Sequence, residues 1–386
     1  MNEARCDVAI IGGGPVGVAL ALALRDNGLQ VVLLEARESA VHSTDPRALA
    51  LSYGTRLLLQ RLGAWQVLQQ VSEIQVIEVT QKKTAGRTTL RAAELEVPAL
   101  GYVLPYAMLH AALQQGLTRS DVTCHYGAVV SELRYGSEAA VITYRYQGQE
   151  YGLTARLAVV ADGGKLLEAT HPPEITDYGQ SGIIAHVTTA HAQTGKAFEH
   201  FTAQGPMALL PYRDGYELVL TAAHDAVQAM LEWDDAAFLA YLQDHFGDRV
   251  GKFLTIGQRS CYPLRLKRAP DITFPHTVLI GNAAQTLHPV AGQGFNLGVR
   301  DAWELAQAIL DSAPDNIGSA AMCAAYRKSR RLDRNAGIRF TDGLVRLFSN
   351  DLPLLGQLRS AALTLLDNLP MAKQFVAKRM MFGSHG

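Results

Sequence analysis

Cysteine is scarce in this chain: Cys6, Cys124, Cys261 and Cys323 are the only four among 386 residues, and no two form a CxxC pair. That excludes a disulfide-framed scaffold and a thiolate metal centre, so reduced thiols in a cytoplasmic protein are expected, with no metal. Charge is sparse too. Thirty-five Lys and Arg stand against 36 Asp and Glu, for a net charge of −1 and a charged fraction of 18%, which gives no electrostatic footprint for nucleic acid. No run reaches the roughly 18 apolar residues that a membrane-spanning helix needs. The nearest is 9–24, but Gly12, Gly13, Gly14 and Pro15 interrupt it and Asp7 precedes it, so it reads as a strand and a helix rather than a signal peptide. Repeats and low-complexity linkers are missing. With 48% hydrophobic residues, the chain is long enough for two packed domains, and any membrane contact is expected to be peripheral.

At the N-terminus stands a dinucleotide-binding pattern in its required context. Residues 7–11 predict a buried strand, Gly12-Gly13-Gly14-Pro15-Val16-Gly17 follows, an alanine- and leucine-rich helix is expected to about Asn27, and a second strand over 31–34 ends in Glu35. Gly12 permits the tight turn, Gly14 lets the backbone approach a pyrophosphate, and Gly17 permits close helix packing. Glu35, eighteen residues past Gly17, is placed to accept from ribose hydroxyls.

A second glycine-rich loop lies far down the chain. Residues 277–280 are β-branched and apolar, residues 299–310 carry apolar side chains at helical spacing, and Gly292, Gly294 and Gly298 lie between. A helix N-terminus behind glycines favours phosphate or a ring that gains negative charge, so a phosphate loop and a flavin seat both fit. Between these motifs, 73–90 and 197–222 alternate as strands do, 107–118 looks helical, and 154–161 predicts a strand ending at Asp162-Gly163. An antiparallel sheet inserted into a nucleotide fold accounts for this order, with the substrate cleft between the two.

The N-terminal glycine motif with Glu35, the segment Asp45-Pro46-Arg47, the Asp162-Gly163 turn, and Gly281-Asn282-Ala283-Ala284 leading to His288-Pro289-Val290-Ala291-Gly292-Gln293-Gly294 together resemble the single-component flavin-dependent aromatic hydroxylases over the whole chain. Asn282 followed by Ala-Ala-Gln-Thr-Leu-His-Pro, with Asp177-Tyr178-Gly179-Gln180, is similar to the ubiquinone-biosynthesis branch. The resemblance implies an α/β fold: a Rossmann-like FAD-binding domain over 1–72, 101–176 and 270–320, an inserted antiparallel-sheet substrate domain over 73–100 and 177–269, and a helical C-terminal region over 321–386.

It also implies a chemistry. NADPH or NADH reduces FAD, O2 adds to give a flavin hydroperoxide, and a polyprenylated phenol, here a 2-polyprenyl-6-methoxyphenol, is hydroxylated on its ring to the benzoquinol. The cofactor-binding residues implied are Gly12, Gly14, Gly17, Glu35, Arg47, Asp162, Asn282, Gly292, Gly294, Phe295 and Asn296. Arg47, His288 and Pro289 are the candidates for the reaction itself. His186 and Tyr212 join His288 as side chains able to line the cleft, each more readily read as structural. Two positions depart from the family: Asn282 stands where an aspartate is usual, and Gly163 is followed by Gly164-Lys165-Leu166 rather than a hydroxyl residue.

The C-terminal region mixes apolar Leu344, Leu347, Phe348, Leu352, Leu354, Leu355, Phe375 and Met380 with Lys373, Lys378 and Arg379. Such a mix suits a helical cap, a peripheral site at the inner face of the membrane, or docking into a multi-enzyme ubiquinone-biosynthesis complex. A hydroxylase of a different aromatic substrate and a non-catalytic FAD-binding scaffold remain open beside the principal reading.

Overall fold

The computed structural model describes residues 3–39, 45, 47–82, 84, 86–288, 292–348 and 353–385. Its first layer is an eight-stranded sheet. Five strands run parallel in the order Thr277–Leu279, Gln149–Val160, Glu3–Ile11, Val31–Glu35, Thr123–Tyr126. On the edge away from Glu3–Ile11, the N-terminal half of Gln149–Val160 pairs antiparallel with Ala140–Tyr146, which pairs in turn with Val129–Tyr135. Thr273–Phe274 closes the other edge.

The helix Pro15–Leu24 is apolar on almost every side, which suits only an element enclosed by others. It packs against Gln293–Leu310 and against Tyr106–Leu117, with Val18, Leu20 and Leu24 in the main core. It ends at Leu24, before the expected Asn27, because Asp26 takes a left-handed conformation with φ 59° and its backbone N–H turns to the Asp121 carboxylate.

The second layer is a nine-stranded sheet ordered Gln285–Thr286, Ser260–Arg268, Glu174–Thr189, Gly215–Ala223, Pro206–Tyr212, Lys196–Phe201, Val76–Gln81, Arg87–Arg91, with Phe253–Ile256 paired off Glu174–Thr189. All of its pairings are antiparallel except Lys196–Phe201 with Val76–Gln81, which is parallel. The expected boundary at 177 falls inside one long strand that starts at Glu174. Alternation along the strands divides the faces. Phe198, Leu209, Leu218 and Leu220 point to the outer face and form a second core under the helices His224–Leu231 and Asp235–Phe246. The intervening residues face the first layer.

A three-stranded sheet, Ala48–Ser52, Gly101–Pro105 and Ser72–Ile74, joins the two layers. The C-terminal helices Ala320–Phe348, Pro353–Asn368 and Pro370–Phe382 then span both. The first packs on Gln293–Leu310, the second on Arg87–Arg91, and the third on Tyr53–Arg61.

Candidate active site

A cavity of about 1280 Å³ runs between the layers. Ordinary small-molecule sites occupy ~300–1,000 Å³, so this volume holds a large cofactor together with a second ligand. One end is built from the two glycine loops and the other from the inner face of the nine-stranded sheet.

At the loop end the glycines differ in what surrounds them. Gly12 has φ +112°, and a Cβ there would meet the Ala161 carbonyl at 2.6 Å. At Gly17 a Cβ would lie on the Gly12 carbonyl, at 2.1 Å. Both are therefore required by the fold. Gly14 and Gly294, by contrast, have nothing within 4 Å of a would-be Cβ, and both line the cavity. The helices behind them, Pro15–Leu24 and Gln293–Leu310, begin without any side-chain cap, which leaves first-turn N–H groups and the positive dipole end for a ligand. The loops are clasped together: Cβ atoms at Gly281 and Gly298 would lie 3.1 and 2.9 Å from the methyls of Val16.

Glu35 is 7% exposed and fixes the first loop. One carboxylate oxygen accepts from the Gly13 N–H at 2.5 Å, and the other accepts from the backbone and Nε of Arg37 at 2.9 and 2.8 Å. Burial alone pushes this carboxyl up, but the Arg37 and Gly13 hydrogen bonds outweigh it and hold Glu35 below its ordinary range. The Gly13 carbonyl is fixed as well, by the Gln114 amide at 3.2 Å and the His110 ring at 3.3 Å, and Tyr126 donates to Gln114 at 2.7 Å. Nothing in the local sequence pointed to these partners, about a hundred residues away. Arg37 carries a faint signal, a cation two places beyond the acid.

Asp162 lines the cavity and uses each oxygen once within its own turn, accepting from Gly164 N and Leu166 N, both at 2.8 Å. The second lone pair on each oxygen stays available for a hydroxyl donor. Asn282, in the 3₁₀ turn Gly281–Ala283, is exposed and lines the cavity with no hydrogen-bond partner among the described residues. Phe295 lines it too. Asn296 is 2% exposed, and its side chain is structural: the oxygen accepts from Ser52 N at 2.9 Å, and the amide donates to the Ala50 and Gly292 carbonyls at 3.1 and 2.7 Å.

Arg47 lies at the cavity wall, paired with Asp45 at 2.5 Å, its guanidinium 5.4 Å from the Tyr262 ring and 5.8 Å from that of Tyr106. The Asp45 hydrogen bond raises the Arg47 pKa further, so it stays cationic. His288 does not line the cavity. It is 1% exposed, edge-on to Tyr178 with centroids 5.5 Å apart, and burial pulls its pKa down to about 4, leaving the ring neutral at pH 7. Pro289 lies outside the described residues. His186 and Tyr212 also stand off the lining. His186 is held between Glu217 at 3.0 Å and Asp214 at 3.3 Å, which favour its charged form.

Behind the second loop sits a buried ionic cluster that sequence reading missed. Arg330, 1% exposed, donates to Asp301 at 2.8 Å and Glu304 at 2.6 Å and pairs with Asp333 at 3.0 Å, which in turn binds Arg300 at 2.8 Å. Asp301 also accepts from Gly281 N at 3.1 Å and from the Gln285 amide at 2.7 Å. The loop carrying Asn282 is thereby tied to the helix Ala320–Phe348. The only hint in sequence was the (i, i+3) pair Arg330 and Asp333 on one helix face.

The sheet end is apolar. Strand register places cavity-facing residues in rows across the sheet, the central one reading Thr88, Val79, Glu199, Ala208, Val219, Ile184. Thr88 is the other polar member of that row, and Glu199 is its one ionisable side chain. It lines the cavity and has no hydrogen-bond or ion-pair partner among the described residues. Burial pushes its pKa up to about 8. The cavity-lining cations, Arg37, Arg47, Lys165 and Arg265, belong to segments outside this row, so nothing in it anchors a ligand carboxylate.

A family model described as FAD binding domain matches residues 5–340. The ubiquinone hydroxylase UbiL of Rhodospirillum rubrum is 31% identical, covering 97% of this chain and 89% of its own. The 3-demethoxyubiquinol 3-hydroxylase of Escherichia coli is 29% identical, covering 98% and 99%. Among solved structures, p-nitrophenol 4-monooxygenase PnpA from Pseudomonas putida superposes over 100% of both chains with a TM-score of 0.78 at 18% identity, a likeness of fold.

Proposed function

The chain belongs to the FAD binding domain family, and on that premise we propose that it is an FAD-dependent monooxygenase that uses NAD(P)H and O2 to hydroxylate the ring of a polyprenylated phenol in ubiquinone biosynthesis. The observation that carries this reading is the composition of this cavity: two uncapped, glycine-opened helix ends at one side and an apolar sheet face at the other.

The residues present fit FAD. The open space over Gly14 beside the Pro15–Leu24 N-terminus suits a pyrophosphate, and that over Gly294 beside the Gln293–Leu310 N-terminus suits a ring that becomes anionic on reduction. Asp162 and Asn282 supply acceptors for hydroxyls along the cofactor, and Arg37 and Arg47 supply positive charge. When bound, FAD supplies redox equivalents from the nicotinamide donor and activated oxygen for the ring. The chain's own part is to orient the reactants and exclude water. The apolar rows of the sheet suit an isoprenoid tail, and each buried CH₂ of that tail contributes about 0.8 kcal/mol to binding. A soluble aromatic acid would find no cation in the central row.

The substrate proposed is a 2-polyprenyl-6-methoxyphenol, delivered from the inner face of a membrane, with the C-terminal helices as the peripheral contact or the docking point for partner enzymes. Leu369, Met371 and Phe375 project to solvent there, 46, 87 and 58% exposed. Among the described residues no helix is long and apolar enough to cross a membrane.

The reading is tested by incubating FAD-loaded protein with NAD(P)H, isotopically labelled O2 and a short-chain 2-prenyl-6-methoxyphenol, with a demethoxyubiquinol analogue in parallel. One labelled oxygen in the ring is expected, and its position assigns the step. Peroxide without ring product shows a flavin oxidase acting on another substrate. No NAD(P)H consumption by protein that holds FAD points to a scaffold.

A further inference from the structure

We propose that Glu199 takes the phenolic proton of the substrate, with the ring held over the central row of the sheet and the isoprenoid tail led away beneath the C-terminal helices. The inference deepens the function proposed above and rests on it.

Three alternating residues of one strand carry the argument. Ala197, Glu199 and Phe201 line the cavity on the face shared with Val79 and Ala208; Phe198, between them, borders it too, but its ring packs in the outer core. Ala197 packs with Leu210 and Ala48, the neighbour of Arg47, so this end of the strand abuts the cofactor side. Phe201 packs with Val79, Leu344 and Leu363, so the other end opens beneath the C-terminal helices. Glu199 stands between, roughly 7 Å along the strand from each. Its lateral neighbours are Val79 and Ala208, neither of which can donate or accept through its side chain. A carboxyl placed in an apolar wall without a partner is costly to the fold unless a ligand completes it. The position matches what a phenol with a lipid tail requires: hydroxyl at Glu199, reacting ring toward Ala197 and Arg47, tail toward Phe201.

The step is a proton transfer. The phenolic O–H bond breaks, its proton forms an O–H bond with the ionised Glu199 carboxylate, and the freed electron pair enters the ring, where it enriches the ortho and para carbons. One atom of O2 forms the new ring C–O bond as the O–O bond breaks, and the other leaves as water, with the two electrons coming from the nicotinamide donor. As the ring becomes aromatic again, the proton that the attacked carbon loses goes to the departing water, and the Glu199 proton returns to the phenolic oxygen. An ordinary glutamate is about 10⁶-fold too weak a base for a phenol of pKa near 10. Burial brings Glu199 to about 8, which narrows that gap to about 10²-fold.

The test compares wild type, Glu199→Gln and Glu199→Asp as FAD-loaded full chains, using a geranylated methoxyphenol and its O-methyl ether. Wild type is expected to bind the phenol at least tenfold more tightly than the ether at pH 9, where the carboxylate is ionised. Its hydroxylation rate is expected to rise with pH through about 8. Glu199→Gln should lose the preference, the rising limb and 10²-fold or more in rate, while FAD content stays the same. Glu199→Asp should keep part of the limb. A Gln variant with the wild-type preference and pH profile overturns the role of Glu199 and leaves the monooxygenase reading intact. A Glu199-dependent preference in a chain that never hydroxylates the phenol overturns the monooxygenase reading alone. If wild type binds neither analogue, both fall.

Discussion

Asn296 accepts the backbone N–H of Ser52 at 2.9 Å, across 244 residues of chain, and in doing so sets the separation between the strand Ala48–Ser52 and the start of the helix Gln293–Leu310. Its amide group closes the clasp on the Ala50 and Gly292 carbonyls. Gly292 completes the fit, since a Cβ there would come within 2.9 Å of the Ala50 methyl. Asn296→Ala strands a buried N–H and two carbonyls, at a cost of about 1–3 kcal/mol for each polar group left unsatisfied. A lower Tm and faster release of FAD, read by flavin fluorescence, are expected together. A variant with a lowered Tm and unaltered FAD retention would mean that the clasp does not shape the cofactor seat.

The glycines divide into those the fold needs and those the ligand needs. Gly14→Ala adds a methyl where nothing lies within 4 Å and the backbone φ is an ordinary −69°. The apoprotein should keep its denaturation midpoint to within about 1 kcal/mol, Ala being no worse than Gly in such a conformation, while FAD affinity falls tenfold or more. Gly17→Ala places a methyl against the Gly12 carbonyl and should prevent accumulation of folded protein. Titration of FAD into the refolded Gly14 variant decides the matter, and wild-type affinity would mean the pyrophosphate lies elsewhere.

How much of this was legible in the sequence depended on the range over which each feature is determined. The N-terminal βαβ, the helix after Gly292 and the alternating strands were all readable because turn chemistry and hydrophobic period are local. Glu35 was recognised as part of the site, but its bond to the Gly13 N–H, which makes it a strut of the loop, appears only in three dimensions. His288 looked well placed beside Pro289, yet the chain turns its ring onto Tyr178 and off the cavity lining. Glu199 was passed over because the stretch Lys196–Phe201 alternates residue by residue without saying which face meets the cavity. That assignment comes from pairing with Val76–Gln81, more than a hundred residues earlier.

The buried ionic cluster should behave as a unit. Arg330→Met removes the cation that faces Asp301, Glu304 and Asp333, while Arg300 stays paired with Asp333. Stranding buried carboxylates in this way costs about 3–5 kcal/mol. Because Asp301 also holds Gly281 N, the loop bearing Asn282 should loosen as well. Urea denaturation should show the loss in stability, and limited proteolysis should show new cleavage near 281–288. Wild-type stability in Arg330→Met would show that the cluster's attraction only matches its desolvation cost.

Glu199 also gives stability a pH dependence of definite sign. Its folded pKa, about 8, lies above its ordinary value of 4.5. Between those values the folded chain holds a proton that the unfolded chain has released, so this group's contribution falls as pH rises through the window and is lost above pH 8. At a little over 1 kcal/mol per unit, the effect in the FAD-free protein is a few kcal/mol. Glu199→Gln should therefore equal wild type near pH 4.5 and be more stable at pH 8–9. Parallel denaturation midpoints for the two proteins across pH 5–9 would place the carboxyl in contact with bulk water.

The C-terminal helices present two kinds of apolar residue. Leu363, Leu366 and Met380 line the cavity, while Leu369, Met371 and Phe375 face solvent within the same two helices and the turn between them. Lys378 and Arg379 follow on the second helix, and Arg379 lies 5.4 Å over the Phe375 ring. An insoluble substrate entering under these helices would leave the bilayer beside the residues that wall its tail, with basic side chains near anionic headgroups. Met371→Glu with Phe375→Glu should abolish flotation with anionic liposomes while leaving Tm and the hydroxylation of a detergent-solubilised short-chain phenol within twofold of wild type. A chain ending at Asp342 tests the whole region. If the double variant floats as wild type does, these side chains are not the membrane contact, and equal flotation of the truncated chain would remove the region from the account.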